Sequence, residues 1–461
     1  MTNWTGKQIL ILGAARQGLA LARWMSKHGA HVTLSDKRLE SELEPARQSL
    51  ADTPVNWALG GHPLELLEQT DVLCLSGGVP LTLPIVQEAV KRGIPLSNDT
   101  QVFMEVVPCK TVGITGSAGK TTTTALLGKM AELSMENKPG RAYTGGNIGN
   151  PLISYVDEMT AEDIAILEIS SFQLDQMHIS PNVAAVLNIT PNHLDRHGTM
   201  EAYTAAKARI LDFQRESDVA VLGRDDPGAW NLRDRVKGKL LSFGLSDLPE
   251  EQSGAYVSDE LYHLRDGNAY TLLPIQDSIH LRGDHNRQNV LAAITVGHAA
   301  GLSLDAMLEA VDSFHGVPHR LELVRELRGV KWYNDSIATA PERTMAAIRA
   351  FDEPLVLLLG GRDKNLPWEA LSVLVHERVK QVVVFGEAAD VILGALRRPK
   401  SGQMRVVIHR CGGLQEAVQR AADVAEAGDV VLLSPGGTSF DEFVDFAERG
   451  ERFRTWVQEL S

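Results

Sequence analysis

The residues best equipped for chemistry lie in the middle third of the chain. Thr115-Gly116-Ser117-Ala118-Gly119-Lys120-Thr121-Thr122 follows the short apolar run Thr111–Ile114 and leads into a helix from about Thr121. Glycines there let successive backbone N–H groups converge on an anion, the helix start adds its positive end, and Lys120 would neutralise outer phosphates. Thr121 would then place a hydroxyl on Mg²⁺. The general P-loop pattern wants glycine where Ile114 stands, so a plain glycine turn is the alternative. The run Ile164–Leu167 ends in Glu168, an acid placed as a ligand of phosphate-bound Mg²⁺ should be. The stretch Asn188–His197 packs His193, Asp195, Arg196 and His197 into one loop after a strand-like run, which reads as a reactive loop or as solvated surface charge. Lys207, within Tyr203–Arg209, reads by spacing alone as a solvated helix lysine.

Other polar clusters fall at the ends of apolar runs. Gly13-x-Ala15-x-x-Gly18, with Asp36 ending the next run, is like a dinucleotide fingerprint. Its middle glycine is Ala15, which weakens the reading as an NAD-dependent oxidoreductase and leaves another nucleotide-bearing ligand, with Asp36, Lys37 and Arg38 at the rim, or a simple turn. Gly283–Asn289, His319-Arg320, Asn334–Thr339, Gly360–Lys364 and Ser434–Phe440 complete the set. The last two follow apolar runs, and carboxyl ends of parallel strands are where open sheets bind ligands.

The elements needed to position these groups are strands alternating with helices, so the expected class is α/β with parallel sheets covered on both faces. Strand-like runs are Gln8–Leu12, His31–Ser35, Asp71–Leu75, Ile164–Leu167, Val183–Leu187, Val330–Tyr333, Leu355–Leu359, Gln381–Phe385 and Val430–Leu433. The segment from Pro249 to Gly267 is turn-rich and shows no clear pattern. With 461 residues the chain is long enough for about three domains, and the rhythm restarts after Pro108 and near Phe314–Pro318. The expected domains are 1–107, 108–316 and 317–461. Acidic residues outnumber basic ones 59 to 45, for a net charge of −14, which argues against nucleic acid as a partner. No apolar run approaches the ~18 residues of a membrane helix, and no export signal is visible. Three cysteines, Cys74, Cys109 and Cys411, without CxxC spacing, fit a reducing cytoplasm.

Taken together the motifs resemble those of the Mur ligases, and the likeness covers nearly the whole chain. They run in the family's order: TGxxGKTT at Thr115–Thr122, GGNIG at Gly145–Gly149, LEISSFQL at Leu167–Leu174, NHLDRH at Asn192–His197, Lys207, GDHNxxN at Gly283–Asn289, Val317–Arg320, and NDSxAT at Asn334–Thr339. TGxxGKT is the family's own form of the loop, which accounts for Ile114.

The resemblance implies an N-terminal Rossmann-like domain, a central P-loop ATPase with a mainly parallel sheet, and a C-terminal Rossmann-like domain. It implies ATP-dependent addition of D-glutamate to UDP-N-acetylmuramoyl-L-alanine through an acyl phosphate, in cytoplasmic peptidoglycan precursor synthesis and hence cell-wall biogenesis, cell shape and division. L-glutamate or L-alanine addition is the alternative. It implies ATP and two Mg²⁺ ions, a carbamylated Lys207, a monomer, and closure of the third domain. In the same way, Gly116, Ser117, Ala118, Gly119, Lys120, Thr121, Thr122, Asn286, Asn289, Arg320 and Asp335 would hold ATP. Thr121, Glu168, His193 and Lys207 would hold metal, with Lys120, Glu168, His193 and Lys207 catalytic. Arg16, Gln17, Asp36, Lys37, Arg38, Ser76, Gly78, Asn147 and Ser170 would face the UDP substrate, and Thr339, Lys364, Ser439 and Phe440 the glutamate. Four departures stand out: Ala118 for Asn, Asn192 for an acid, Ser76-Gly-Gly for Ser-Pro-Gly, and Ile337 for a lysine. They bear on amino-acid specificity more than on ATP use.

Overall fold

The computed structural model describes residues 3–396 and 406–461. Three sheets carry the chain. The first uses β1 (Gln8–Leu12), β2 (His31–Asp36), β3 (Val55–Leu59), β4 (Val72–Leu75) and β5 (Leu96–Ser97), all parallel, in the order β3-β2-β1-β4-β5. Ile9 and Ile11 of β1 pack into one core and Leu10 and Leu12 into another, as a strand covered on both faces requires. Strand order reverses between β1 and β4, so their carboxyl ends flank the crevice where such sheets take ligands.

The second sheet is built from β6 (Lys110–Thr115), β7 (Ala142–Gly146), β8 (Ile164–Glu168), β9 (Val183–Val186), β10 (Val219–Gly223), β11 (Lys239–Phe243), β12 (Gly254–Ser258), β13 (Leu261–Asp266) and β14 (Ala269–Leu273). Its order is β14-β13-β12-β11-β10-β9-β6-β8-β7. The strands run parallel from β7 to β12, and β12, β13 and β14 then form an antiparallel meander. That meander occupies most of the turn-rich segment in which the sequence shows no pattern. Its first turn is Asp259-Glu260, both at positive φ (49° and 63°) as a type I′ turn requires, yet without the glycine or asparagine that usually announces one.

The third sheet contains β15 (Glu322–Leu327), β16 (Val330–Asn334), β17 (Leu355–Gly360), β18 (Val379–Phe385), β19 (Val407–Arg410) and β20 (Val430–Gly436), ordered β15-β16-β20-β17-β18-β19. β15 and β16 form a hairpin and the other pairs are parallel. The expected α/β class with mainly parallel sheets is the one observed.

These sheets fall into two compact units. One runs to Ile279 and resumes over Asp284–Phe314, holding the first two sheets; the other comprises His280–Gly283 and His315–Ser461, holding the third. Within the first unit, Asp157 accepts from Trp24 Nε1 (2.9 Å) and Lys27 Nζ (2.6 Å), and Arg196 donates to the Gly78 carbonyl (3.2 Å), tying the first sheet's helix and loops to the second sheet. Among the described residues, no helix is long and apolar enough to cross a membrane.

Candidate active site

In the first unit the chain leaves β6 at Thr115, turns through Gly116–Gly119 and enters the helix Lys120–Met135. Gly119 caps that helix at φ +82°, in the left-handed region, and a Cβ there would lie 2.2 Å from Asn289 Oδ1. The backbone angle therefore favours glycine, and a Cβ would also push the Asn289 side chain aside. The loop is held from the end of β9: Ser117 N donates to the Asn188 carbonyl (2.9 Å), Ala118 N to Asn188 Oδ1 (2.8 Å), and Thr190 N to Ser117 Oγ (2.9 Å). Lys120 Nζ folds back onto the Gly116 and Ser117 carbonyls at 2.7 and 3.3 Å. Thr122 is buried one residue further along the helix from Thr121.

Beside the loop, Thr121 Oγ1 donates to Glu168 Oε2 (2.9 Å) at the carboxyl end of β8, and Asn147 Nδ2 donates to Glu168 Oε1 (2.8 Å). Ser170 caps the short helix Ser171–Leu174, bonding Gln173, whose amide reaches Thr100 Oγ1 (2.8 Å). Asn286 and Asn289, joined at 3.0 Å, project from the helix Asp284–Ala300 beside Gly119.

Lys207 is 1% exposed, not solvated. Its Nζ donates to the Gly116 carbonyl (2.9 Å) and Thr115 Oγ1 (3.4 Å) and lies 4.7 Å over the Tyr203 ring. Burial pushes its pKa down to about 7, helped by the charge of Lys120 and opposed by Glu168. A lysine on the buried face of its helix, four residues after buried Tyr203 and three before buried Ile210, is a pattern the sequence does carry. His193 stands at φ 53°, a strained left-handed position, edge-on to Phe172 at 5.3 Å, while His197 stacks on Phe172 at 5.1 Å and bonds Ser171 Oγ at 2.9 Å.

The hydroxyl–carboxylate pair fits Mg²⁺, which takes hard oxygen donors and is usually bound through one or two carboxylates plus substrate phosphates. Among the described residues no cluster of three or more His, Cys, Asp or Glu could cage a metal without such help.

At the crevice of the first sheet, Ser76 Oγ donates to the Gly13 carbonyl (3.0 Å) and Gly77 N to Gln17 Oε1 (3.1 Å), bringing Arg16, Gln17, Ser76 and Gly78 to one edge. Asp36 is saturated: it accepts from Ala14 N (2.8 Å), Arg38 N (2.9 Å), Arg38 Nε (3.0 Å) and Arg38 Nη2 (2.8 Å). Four donors fill its two oxygens, so it shapes the loop and orients Arg38 rather than offering itself to a ribose hydroxyl. That removes the acidic partner an NAD site would need. Lys37 beside it is exposed.

In the second unit three strand-end loops converge. Gly436 N donates to the Ala338 carbonyl (2.9 Å), and Arg362 and Thr438 exchange backbone bonds (2.8 and 2.9 Å), zipping together the segments after β16, β17 and β20. Thr339, Lys364, buried Ser439 and exposed Phe440 sit on this junction, with Lys364 Nζ donating to Thr339 Oγ1 (3.4 Å). Asp335 accepts from Ser434 Oγ (2.9 Å) and is pushed up to about 7 by burial. Arg320 lies between His319 (φ 64°) and Leu321 (φ 45°), two left-handed residues flanking one side chain.

Arg449 is absent from the sequence-derived set. Completely buried, it donates to Ser336 Oγ (2.9 Å), the Ser336 carbonyl (2.8 Å) and the Gly437 carbonyl (3.1 Å), pinning two of the three loops. Its signal is positional: Arg449, Phe453 and Val457 share one buried helical stripe.

An anion cradle facing a hydroxyl–carboxylate pair suits nucleotide phosphates, and it defines the class as an α/β P-loop enzyme. Comparison with known proteins narrows that class. The Mur ligase MurD-like N-terminal domain matches residues 7–98, the Mur ligase middle domain 114–297, and the Mur ligase glutamate ligase domain 319–437. The chain is 39% identical over 452 residues to a UDP-N-acetylmuramoylalanine–D-glutamate ligase of Symbiobacterium thermophilum, covering 98% of each, and 38% identical to one of Koribacter versatilis, covering 99% of this chain and 98% of that one. In fold it is similar to the UDP-N-acetylmuramate–alanine ligase of Thermotoga maritima (TM-score 0.56, 19% identity, 98% and 99% covered) and to a pseudomurein peptide ligase of Methanothermus fervidus (0.53, 17%, 99% and 100%). The chain belongs to the Mur ligase family.

Proposed function

We propose that this enzyme joins D-glutamate to UDP-N-acetylmuramoyl-L-alanine, consuming ATP and releasing ADP and phosphate, in making peptidoglycan precursors in the cytoplasm. The observation that carries this reading is similarity over 98% of the chain to a relative named for that reaction. A carboxylate is a poor electrophile without a leaving group. Transfer of the terminal phosphoryl group onto the L-alanine carboxylate supplies one, and attack by the glutamate amine then forms the amide as phosphate departs.

Lys120 exchanges its two loop carbonyls for the outer phosphates of ATP, and the N–H groups of Gly116–Thr122 wrap the rest. Asn286, Asn289, Arg320 and Asp335 serve the nucleoside end. Thr121 and Glu168 hold Mg²⁺, which when bound neutralises the crowded phosphate charge. A neutral fraction of Lys207 near pH 7 supports its carbamylation: an uncharged amine can take up CO₂, and the product is an anionic oxygen donor that, with His193, suits a second Mg²⁺. Arg16, Gln17, Asp36, Lys37, Arg38, Ser76 and Gly78 line the uridine diphosphate, Asn147 and Ser170 its sugar, and Thr339, Lys364, Ser439 and Phe440 the incoming amino acid. An acyl phosphate must be kept from water, so the bound state excludes solvent.

Purified enzyme with UDP-N-acetylmuramoyl-L-alanine and Mg-ATP should release phosphate when D-glutamate is added. Equal release without an amino acid, or preference for L-glutamate or L-alanine, would overturn the reading. Lys207→Ala should abolish turnover with the fold intact, and a small carboxylic acid should restore part of it; near-wild-type turnover would remove the carbamate.

A further inference from the structure

The loop junction of the second unit gathers positive charge that no protein carboxylate contacts directly. Lys364 Nζ is tethered to Thr339 Oγ1 at 3.4 Å. Thr339 N donates to the Ile337 carbonyl at 2.8 Å, and that same carbonyl accepts from Arg343 Nη1 at 3.2 Å. Two cationic heads thus hang from one three-residue loop, and Ile337 adds no charge of its own. Buried Arg449 lies behind them, its guanidinium spent on backbone and serine oxygens. Among the described residues none of these three cations forms an ion pair; Asp335 acts on Arg343 and Asp441 and Glu442 on Arg449 only at longer range, and Lys364 is left facing the two arginines. The contrast is local: Arg362, two residues before Lys364, is paired with Glu387 at 2.7 Å. In a chain with net charge −14, Lys364 and Arg343, two cations without an ion-pair partner at the carboxyl ends of parallel strands, describe a place kept for an anion. The lysine registers the crowding: burial first, then Arg343 and Arg449, hold its pKa below the ordinary value.

Arg343 is exposed, on the first turn of the helix Pro341–Ile348, and spends one of its five N–H donors on Ile337. The remaining fork is of the kind that grips a carboxylate through two parallel bonds.

We propose that Arg343 is a specificity-determining residue of the amino-acid subsite, clamping one carboxylate of a dicarboxylic amino acid while Lys364 takes the other. This rests on the reading that the enzyme adds glutamate. A monocarboxylic amino acid would leave one cation facing solvent, so two clamps select for the second carboxylate as well as binding it.

The test measures steady-state kinetics of full-length Arg343→Ala, Arg343→Lys and Lys364→Ala. Arg343→Ala should raise the KM for D-glutamate about tenfold to a hundredfold, as loss of a charge-assisted pair does, with kcat and the KM for ATP changed less than about twofold. Arg343→Lys should recover part of the loss, which a purely structural role would not predict. As an inhibitor, D-norvaline, lacking the side-chain carboxylate, should lose affinity in one of the two alanine variants and not the other. An unchanged D-glutamate KM in Arg343→Ala, or D-norvaline weakened equally in both, overturns the assignment. If wild-type enzyme releases no phosphate with D-glutamate, the reaction itself is misread, and calorimetric titration of D- and L-glutamate into the same variants decides the clamp separately.

Discussion

Two strand–glycine–helix turns in the first unit look alike in sequence and are built for different work. After β1, the turn from Gly13 to Gly18 is closed by the protein's own anion: Asp36 caps the Ala14 N–H and ties down Arg38. After β6, the turn from Gly116 to Gly119 is closed by the protein's own cations, with Lys120 and Lys207 both on the Gly116 carbonyl. A loop whose first N–H is already met by a carboxylate leaves a phosphate to side chains at its rim and not to a ring of converging N–H groups. One whose Lys120 rests on weak carbonyl acceptors can trade them for phosphate oxygens at small cost. The same glycine rhythm therefore reports a turn; which charge lies at hand decides whether it is a cradle.

The largest test of that contrast is Lys120→Met. Lost phosphate neutralisation should lower the rate of D-glutamate-dependent phosphate release by about 10²–10³-fold or more, the scale of removing a key electrostatic donor. The melting temperature should barely move, since the buried Gly116 carbonyl keeps its bond from Lys207 Nζ (2.9 Å) and Ser117 is half-exposed. A matching fall in thermal stability would show that the lysine is a strut of the turn and not a ligand of ATP.

The glycines themselves give the next effect, and the order is not the one function would suggest. A Cβ at Gly18 would lie 2.0 Å from the Gly13 carbonyl oxygen, a backbone atom that cannot step aside. Gly18→Ala should cost about 3 kcal/mol or more by overpacking. At Gly119 the obstacle is the Asn289 side-chain oxygen, which can rotate, leaving mainly the left-handed penalty of roughly 1–2 kcal/mol. Gly119→Ala should therefore melt above Gly18→Ala in calorimetry while raising the KM for ATP more. Equal melting temperatures would mean that both turns yield in the same way.

Much of this is legible in the residues alone. The α/β alternation, the passage from β6 into the phosphate loop, and Glu168 at a strand end all follow from apolar runs closed by turn chemistry. Other features depend on what tertiary structure does to ordinary-looking residues. Lys207 reads as a surface lysine because helix spacing does not announce which face is covered, although its place between Tyr203 and Ile210 holds the clue. The β12–β14 meander is hidden because turn-forming residues from Pro249 to Gly267 crowd its strands and its first turn uses Asp259-Glu260 in place of glycine or asparagine. Arg449 is masked by a helix crowded with charges, and Arg343 by lying beyond the motif that ends at Thr339. Both matter through loops brought together from the ends of β16, β17 and β20, a convergence that strand order creates and local sequence does not state.

The smallest effect probes the first turn through pH. Burial pushes the Asp36 carboxyl up, but the Arg38 guanidinium and the N–H groups of Arg38 and Ala14 outweigh it and hold its pKa well below the ordinary value near 4. The folded protein binds that proton less readily than the unfolded chain does. The resulting stabilisation is complete above the unfolded pKa and drains away only as pH falls below about 4 toward the lowered value. Asp36→Asn should cost roughly 1–2 kcal/mol at neutral pH, the range for a hydrogen-bonded charge, and should flatten the acid limb of the unfolding curve below pH 4. The KM for the UDP substrate should rise, because Arg38 loses the partner that orients it, while the KM for ATP stays put. An ATP effect of the same size would mean that the two turns are energetically one site, and the contrast between them would fail.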